Sequence, residues 1–134
     1  DHFPTAGKNW TANAVLPGGN FDNQHNLQTS LQRKYQWLPR KIINRYVRSY
    51  GMLTHEICAG INCLEAMGQY FGAGLYQREV EYLIGQEWAI TLEDIIWRRS
   101  KLGLQLSQIE QDVLKEYIKI SHVSIASPST VDIL

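Results

Sequence analysis

The chain has only two cysteines, no long apolar run, and no acidic residue between Asp22 and Glu56. Each shortage excludes something. No stretch approaches the ~20 apolar residues of a membrane span, and no charged start followed by an apolar core marks a secretion signal. Cys58 and Cys63, spaced C-x4-C behind His55, lack the second ligand pair that zinc needs; His2, His25 and His122 are scattered. The two thiols are therefore read as small, reduced core residues, which points to a reducing compartment. Phosphate-loop, serine-hydrolase, zinc-protease and EF-hand patterns do not occur. The nearest approach to a dinucleotide turn is "GAGLYQ", Gly72 to Gln77. Its third position is neither Gly nor Ala, and the preceding "NCLEAMGQYF" does not read as a strand, so these are glycines at a helix start. Nothing in the sequence assembles a catalytic constellation or a metal site.

What is present suits one ordinary domain: 134 residues, 44% of them hydrophobic and 19% charged. The chain opens with Asp1 instead of Met and is read as a piece of something longer. Charge is balanced overall, which argues against a nucleic-acid binder. The balance hides an asymmetry. Arg33, Lys34, Arg40, Lys41, Arg45 and Arg48 fill the acid-free stretch, whereas from Glu56 onward acids outnumber bases eleven to six. The basic third is either a solvated face and complement to the acidic part, or a surface for something anionic.

Residues 1–21 have no helical period, contain two prolines and three glycines, and read as a connector; "LPGG" marks a turn. From there the pattern is helical. Asp22 is placed as N-cap of a first helix carrying Leu27, Leu31, Lys34 and Tyr35. Pro39 suits the first turn of the next, whose stripe is Ile42, Ile43, Tyr46, Val47 and Tyr50 and which Gly51 ends. Lys41, Arg45 and Arg48 fall at i, i+4, i+7 on this helix, giving it a basic side. A short helix is expected over 52–59, one turn around Leu64 to Met67, and a longer helix over Leu75 to Trp88. Thr91 with Asp94, and Ser107 with Glu110, give T-x-x-D and S-x-x-E caps for two more. The last carries Ile109, Val113, Tyr117 and Ile120 on one face, and the tail from 122 onward is expected to fray. The expected architecture is all-α, a compact bundle of five or six helices over 22–121 behind an irregular connector, with no β-alternation beyond the opening.

The pair Arg98-Arg99 follows an apolar run. At 100° per residue, Leu92, Ile95, Ile96 and Arg99 share a face, while Arg98 lies elsewhere, one turn after Asp94. Arg98 and Asp94 are thus expected to pair in solvent. In the preceding helix Val80, Leu83, Ile84 and Glu87 repeat the spacing, and that stripe ends in the opposite charge. A short link joins the two helices, so they should pack together. Glu87 and Arg99 are accordingly expected to form a largely buried ion pair, bidentate where geometry allows, with Glu81 as second-choice acid. Binding of a ligand phosphate by Arg99 is the competing reading.

The stretch "YFGAGLYQREVEYLIGQEWAITLEDIIWRRSKLGL", Tyr70 to Leu104, closely resembles the C-terminal helical region of FAD-dependent glycerol-3-phosphate dehydrogenases. The matching positions are Phe71-Gly72, Glu79-Val80, Tyr82, Glu87-Trp88-Ala89, Thr91, Asp94 and Arg98-Arg99. "LPGG" resembles the segment that joins the family's catalytic part to this region. Ser100 stands where the family usually has Thr, and Gln86 where His is common. The resemblance implies a parent enzyme that oxidises sn-glycerol 3-phosphate to dihydroxyacetone phosphate, with FAD taking the hydride and quinone the electrons. Because calcium-binding loops of eukaryotic members have no counterpart, the chain is read as bacterial. The implied parent is cytoplasmic, peripheral to the inner face of the cell membrane, with oligomerisation left open. In this region the resemblance places no catalytic, cofactor or metal residue. The expectation is an accessory domain that packs in cis on the FAD-bearing catalytic part, through residues 1–21 and an adjoining face. The alternative is a binding module that uses Arg40, Lys41, Arg45 and Arg48 on an anionic membrane or partner surface.

Overall fold

Helices dominate the computed structural model, which describes Gly19 and residues 22–126. The expected connector, Gly19 apart, and the tail beyond Ala126 lie outside the described residues. Helix α1 spans Gln24–Lys34 and buries Leu27 and Leu31. Its cap is Asn23, not Asp22: the Asn23 side chain accepts from the His25 amide at 2.7 Å, satisfying one of the free first-turn donors. A turn through Leu38, whose amide reaches the Tyr35 carbonyl, reverses the chain into α2, Arg40–Tyr50. Pro39 stands immediately before α2, and Gly51, with φ of 55°, ends it as expected. The two helices pack through Leu31, Ile43, Tyr46 and Val47, all buried.

A 3-10 turn at Gly51–Leu53 and the short α3 (Thr54–Ile57) pack against this pair, and a second 3-10 turn at Leu64–Met67 packs against the next long helix. Arg78, from the next long helix, braces this corner by donating to the carbonyls of Ile57 and Ala59, groups that the end of α3 leaves unpaired. Cys58 is buried and Cys63 half-buried, and both are free thiols. Burial pushes the Cys58 thiol up to about 11, so it stays protonated and inert at neutral pH.

Two strands then interrupt the helices. β1 (Tyr70–Gly72) and β2 (Leu75–Tyr76) form a small antiparallel hairpin where the sequence pattern showed only glycines and a helix start. The turn needs Gly72 at φ 110° and Gly74 at φ 81°, and even Ala73 sits at φ 52°. Leu75 and Tyr76 belong to the hairpin, so α4 is shorter than expected, Gln77–Gln86. Its buried residues are Glu79, Val80 and Leu83. Trp88, at φ 56°, breaks the helix in a backbone conformation usually given to glycine.

Residues Asp94–Arg99 form a π-helical turn, wider than the α-helix the sequence suggested. Its closing bonds run from the Ser100 amide and hydroxyl to the carbonyl of Ile95, five residues back. Both expected cap pairs are reciprocal here: Asp94 N–H to Thr91 Oγ1 with Thr91 N–H to Asp94 Oδ2, and Glu110 N–H to Ser107 Oγ with Ser107 N–H to Glu110 Oε2. The final helix, α5, runs Gln108–Ala126, past the expected end at 121. It is rotated from its expected setting. Leu114 and Ile118 enter the core, Tyr117 is half-buried with its ring against Phe71 of β1, and Ile109, Val113, Ile120 and Val123 stay exposed.

Candidate functional site

The most heavily buried charge in the described residues is Glu79, whose side chain has no solvent exposure. It projects from the first turn of α4, with Leu75 before it and Leu83 after it on the same inward side, both fully buried. Arg45 meets it from α2. The guanidinium donates from Nη1 to Oε1 at 2.6 Å and from Nη2 to Oε2 at 2.7 Å, a two-point fork. Nη2 also donates to the carbonyl of Gly74 at 3.0 Å, and the Tyr50 hydroxyl donates to Glu79 Oε1 at 2.6 Å. One cluster thus clamps α2, the hairpin turn and α4 together. Burial alone would weaken the charge of Arg45, but the hydrogen bonds and charge of Glu79 outweigh it and hold the guanidinium protonated beyond its usual range. Burial, reinforced by the neighbouring carboxylate, pushes the Tyr50 hydroxyl well up, which keeps it a donor. With both oxygens engaged, Glu79 is a fixed ionic clamp and not a base poised toward open space.

Of the two readings of the basic stretch, Arg45 follows the complement to the acidic part: it pairs with Glu79, and with a side chain only 14% exposed it does not belong to an exposed basic face. Arg40, Lys41 and Arg48 are exposed, but Arg40 faces a separate hollow beside Trp37. Lys41 and Arg48 line a groove of 610 Å³ between α2 and the hairpin, with Asn44, Tyr70, Tyr76 and Gln105 around it and Arg45 within it.

The expected buried pair of Glu87 and Arg99 is also corrected. Arg99 Nη1 lies 3.7 Å from Glu87 Oε2, a loose contact in which the side chains are 42% and 26% exposed. The shorter bond runs from Arg99 Nη2 to the main-chain carbonyl of Glu87, at 2.8 Å. Two features explain the change. Glu87 lies just beyond the end of α4, so the helical wheel no longer governs it. The π turn carries Arg99 off the face of Ile95 and Ile96, and Ser100, five residues after Ile95, takes the buried position. Glu81 takes no part, since its Oε1 accepts from Gln77 and Tyr117. Arg98 and Asp94 meet at 2.8 Å on the surface. The amides of Ile90 and Thr91 hold the Asp94 carboxyl down at about 2, with a smaller contribution from Arg98.

Among the described residues no three His, Cys, Asp or Glu side chains gather as a metal site. The glycines of the hairpin do not fit a flavin pyrophosphate. A Cβ built on Gly72 would collide with Glu110 Oε1, so the space beside that glycine is filled by the protein's own carboxylate, which would repel a phosphate. The Arg45–Glu79 clamp escapes a helical wheel that singles out charges ending an apolar stripe. The available signal was a charge inside one, Glu79 spaced four residues from both Leu75 and Leu83.

The family described as the C-terminal domain of alpha-glycerophosphate oxidase matches residues 9–124. A glycerol-3-phosphate dehydrogenase of Pseudomonas aeruginosa is 43% identical over 121 residues, covering 90% of this chain and 24% of that protein. D-erythritol 1-phosphate dehydrogenase of Brucella abortus is 39% identical over 117 residues, 86% of this chain and 23% of its own length. The aerobic glycerol-3-phosphate dehydrogenase of Escherichia coli is 28% identical over 118 residues, 87% and 24% respectively. The chain therefore spans about a quarter of the length of these relatives. With most of its residues matched in order, this chain belongs to the family of C-terminal domains of alpha-glycerophosphate oxidase.

Proposed function

We propose that the chain is the accessory domain of an FAD-dependent enzyme that oxidises sn-glycerol 3-phosphate to dihydroxyacetone phosphate and delivers the electrons to quinone. The observation that carries this is the match itself: about a quarter of each dehydrogenase aligns with nearly all of this chain. When bound, the flavin accepts the hydride, and its binding belongs to the catalytic part of the parent. This domain contributes packing. Among the described residues its one well-buried ion pair, Arg45 with Glu79, is an internal clamp.

The exposed apolar line on α5 supports docking in cis. Ile109, Val113, Ile120 and Val123 repeat at spacings that keep them on one side of the helix, a pattern that normally meets another surface. The catalytic part of the parent is the occupant proposed, working at the inner face of the cell membrane. A dehydrogenase of a different polyol phosphate shares the domain, which favours substrate selection outside it.

The test is dye or quinone reduction by the intact gene product and by this chain alone, with sn-glycerol 3-phosphate and D-erythritol 1-phosphate as substrates. Yellow, active full-length protein and a colourless, inactive domain are expected. Failure of the full-length protein to oxidise sn-glycerol 3-phosphate, or oxidation of D-erythritol 1-phosphate alone, would overturn the reading, as would flavin uptake by the domain alone.

A further inference from the structure

The groove between α2 and the hairpin carries a reading that goes beyond an accessory role. Lys41, Asn44 and Arg48 stand at i, i+3 and i+7 on α2, so all three side chains serve one wall. Among the described residues no Asp or Glu lines the groove. Arg45, also in it, has its charge matched by Glu79, which leaves two uncompensated cations: among the described residues neither Lys41 nor Arg48 forms an ion pair. Two positive charges beside a concave space suit a ligand of two negative charges, and a phosphate monoester above pH 6 to 7 is such a dianion.

The walls are rigid. The hairpin turn is pinned from both sides, by Arg45 on the Gly74 carbonyl and by the Gly74 amide donating to the Tyr70 hydroxyl at 3.2 Å. The Tyr70 and Tyr76 rings lie 4.9 Å apart between centroids. Ala73, on the wall, is held in left-handed backbone, a conformation that non-glycine residues adopt at a cost and that recurs where proteins grip ligands. The volume of 610 Å³ admits a small phosphorylated molecule or a headgroup.

We infer that this groove binds a phosphate monoester, with the Lys41 ammonium and the Arg48 guanidinium as its cationic contacts and Asn44 and Gln105 as neutral donors. The monoester is either free in solution or the headgroup of a lipid. The site consists of this domain's own side chains and stands whether or not the parent oxidises glycerol 3-phosphate.

The experiment titrates isotope-labelled protein with methyl phosphate at constant ionic strength and follows backbone amides and arginine side chains. Saturable shifts confined to α2, residues 70–76 and residues 102–105 are expected. Replacing both cations (Lys41→Ala with Arg48→Ala) should weaken binding by at least about tenfold, as lost charge-assisted hydrogen bonds do. Arg40→Ala, an exposed cation outside the groove, should change it by less than about twofold. Dimethyl phosphate, a monoanion, should bind distinctly more weakly. Co-sedimentation with phosphatidic acid vesicles against phosphatidylcholine separates the sources: vesicle binding lost in the double variant assigns a headgroup, and saturation by methyl phosphate without vesicle binding assigns a free monoester. The inference is overturned if neither probe binds saturably, or if Arg40→Ala weakens binding as much as the double variant. Unchanged circular dichroism of the variants checks that the fold survives.

Discussion

Arg45 and Glu79 are 34 positions apart in sequence, and their side chains meet in a two-point ion pair whose acid is sealed from solvent. The relationship is asymmetric in its energetics. Attraction within such a pair is largely offset by the desolvation of both charges, so the intact clamp adds modestly to stability. Removing one member, however, strands the other without water. Glu79→Gln should therefore destabilise the domain by about 3–5 kcal/mol, a large part of the 5–15 typical of a domain this size. Replacing both, Arg45→Met with Glu79→Leu, should lose much less than the sum of the single changes. Urea unfolding of wild type, Arg45→Met, Glu79→Leu and the double variant measures this, and additive losses would show that the pair is not a unit.

The surface pair behaves differently. Glu87 and Arg99 are both substantially exposed and 3.7 Å apart, so water and salt screen them. Glu87→Gln is predicted to change stability by no more than about 1 kcal/mol, and the change should shrink with added salt. A loss comparable to that of Glu79→Gln would restore the buried pair that the helical wheel suggested.

How far the sequence reached depends on which element is considered. Helical periods and both capping boxes were legible because they are local: Thr91 with Asp94 and Ser107 with Glu110 need only their own turn. The hairpin was not, because strands of three and two residues leave no alternation to detect. Nor was the aim of Arg99. A wheel at 100° assumes α-helical bonds, and the Ser100-to-Ile95 bond replaces them with a wider turn. The Arg45–Glu79 clamp joins two elements far apart in sequence, so its acid was visible only as a charge out of place between leucines.

Asp94 supplies a pH test. Its carboxyl sits at about 2 in the folded protein, below its usual 3.8, chiefly because the Ile90 and Thr91 amides donate to the ionised form. A folded-state value below the unfolded one means the contribution is fully present above the unfolded value and lost as pH falls through the folded one. The stability gap between wild type and Asp94→Asn should accordingly be constant from neutral pH down to about 4 and then close toward pH 2. Denaturant melts across that range, with the Asp94 carboxyl carbon followed by NMR, check it. A midpoint near 4 would mean that the capping amides are not engaged in solution.

The setting of α5 gives the last prediction, because the helix carries two apolar faces and only one can enter the core. Ile109, Val113 and Ile120 satisfy a helical period as well as Leu114 and Ile118 do, so periodicity alone cannot choose between them. The choice is made by the surface underneath: with Tyr117 against Phe71 of β1, Leu114 and Ile118 point inward and the other line points out. Leu114→Ala should then cost about 2–5 kcal/mol, combining lost burial with a cavity. Ile120→Ser, at a position 65% exposed, should fall within about 0.5 kcal/mol. The same Ile120→Ser change in the intact gene product should weaken attachment of this domain to the catalytic part, read as faster proteolytic release or amide exchange along α5. If Ile120→Ser proved as damaging as Leu114→Ala in this chain alone, the helix would be turned the other way, and the face assigned to docking would be core.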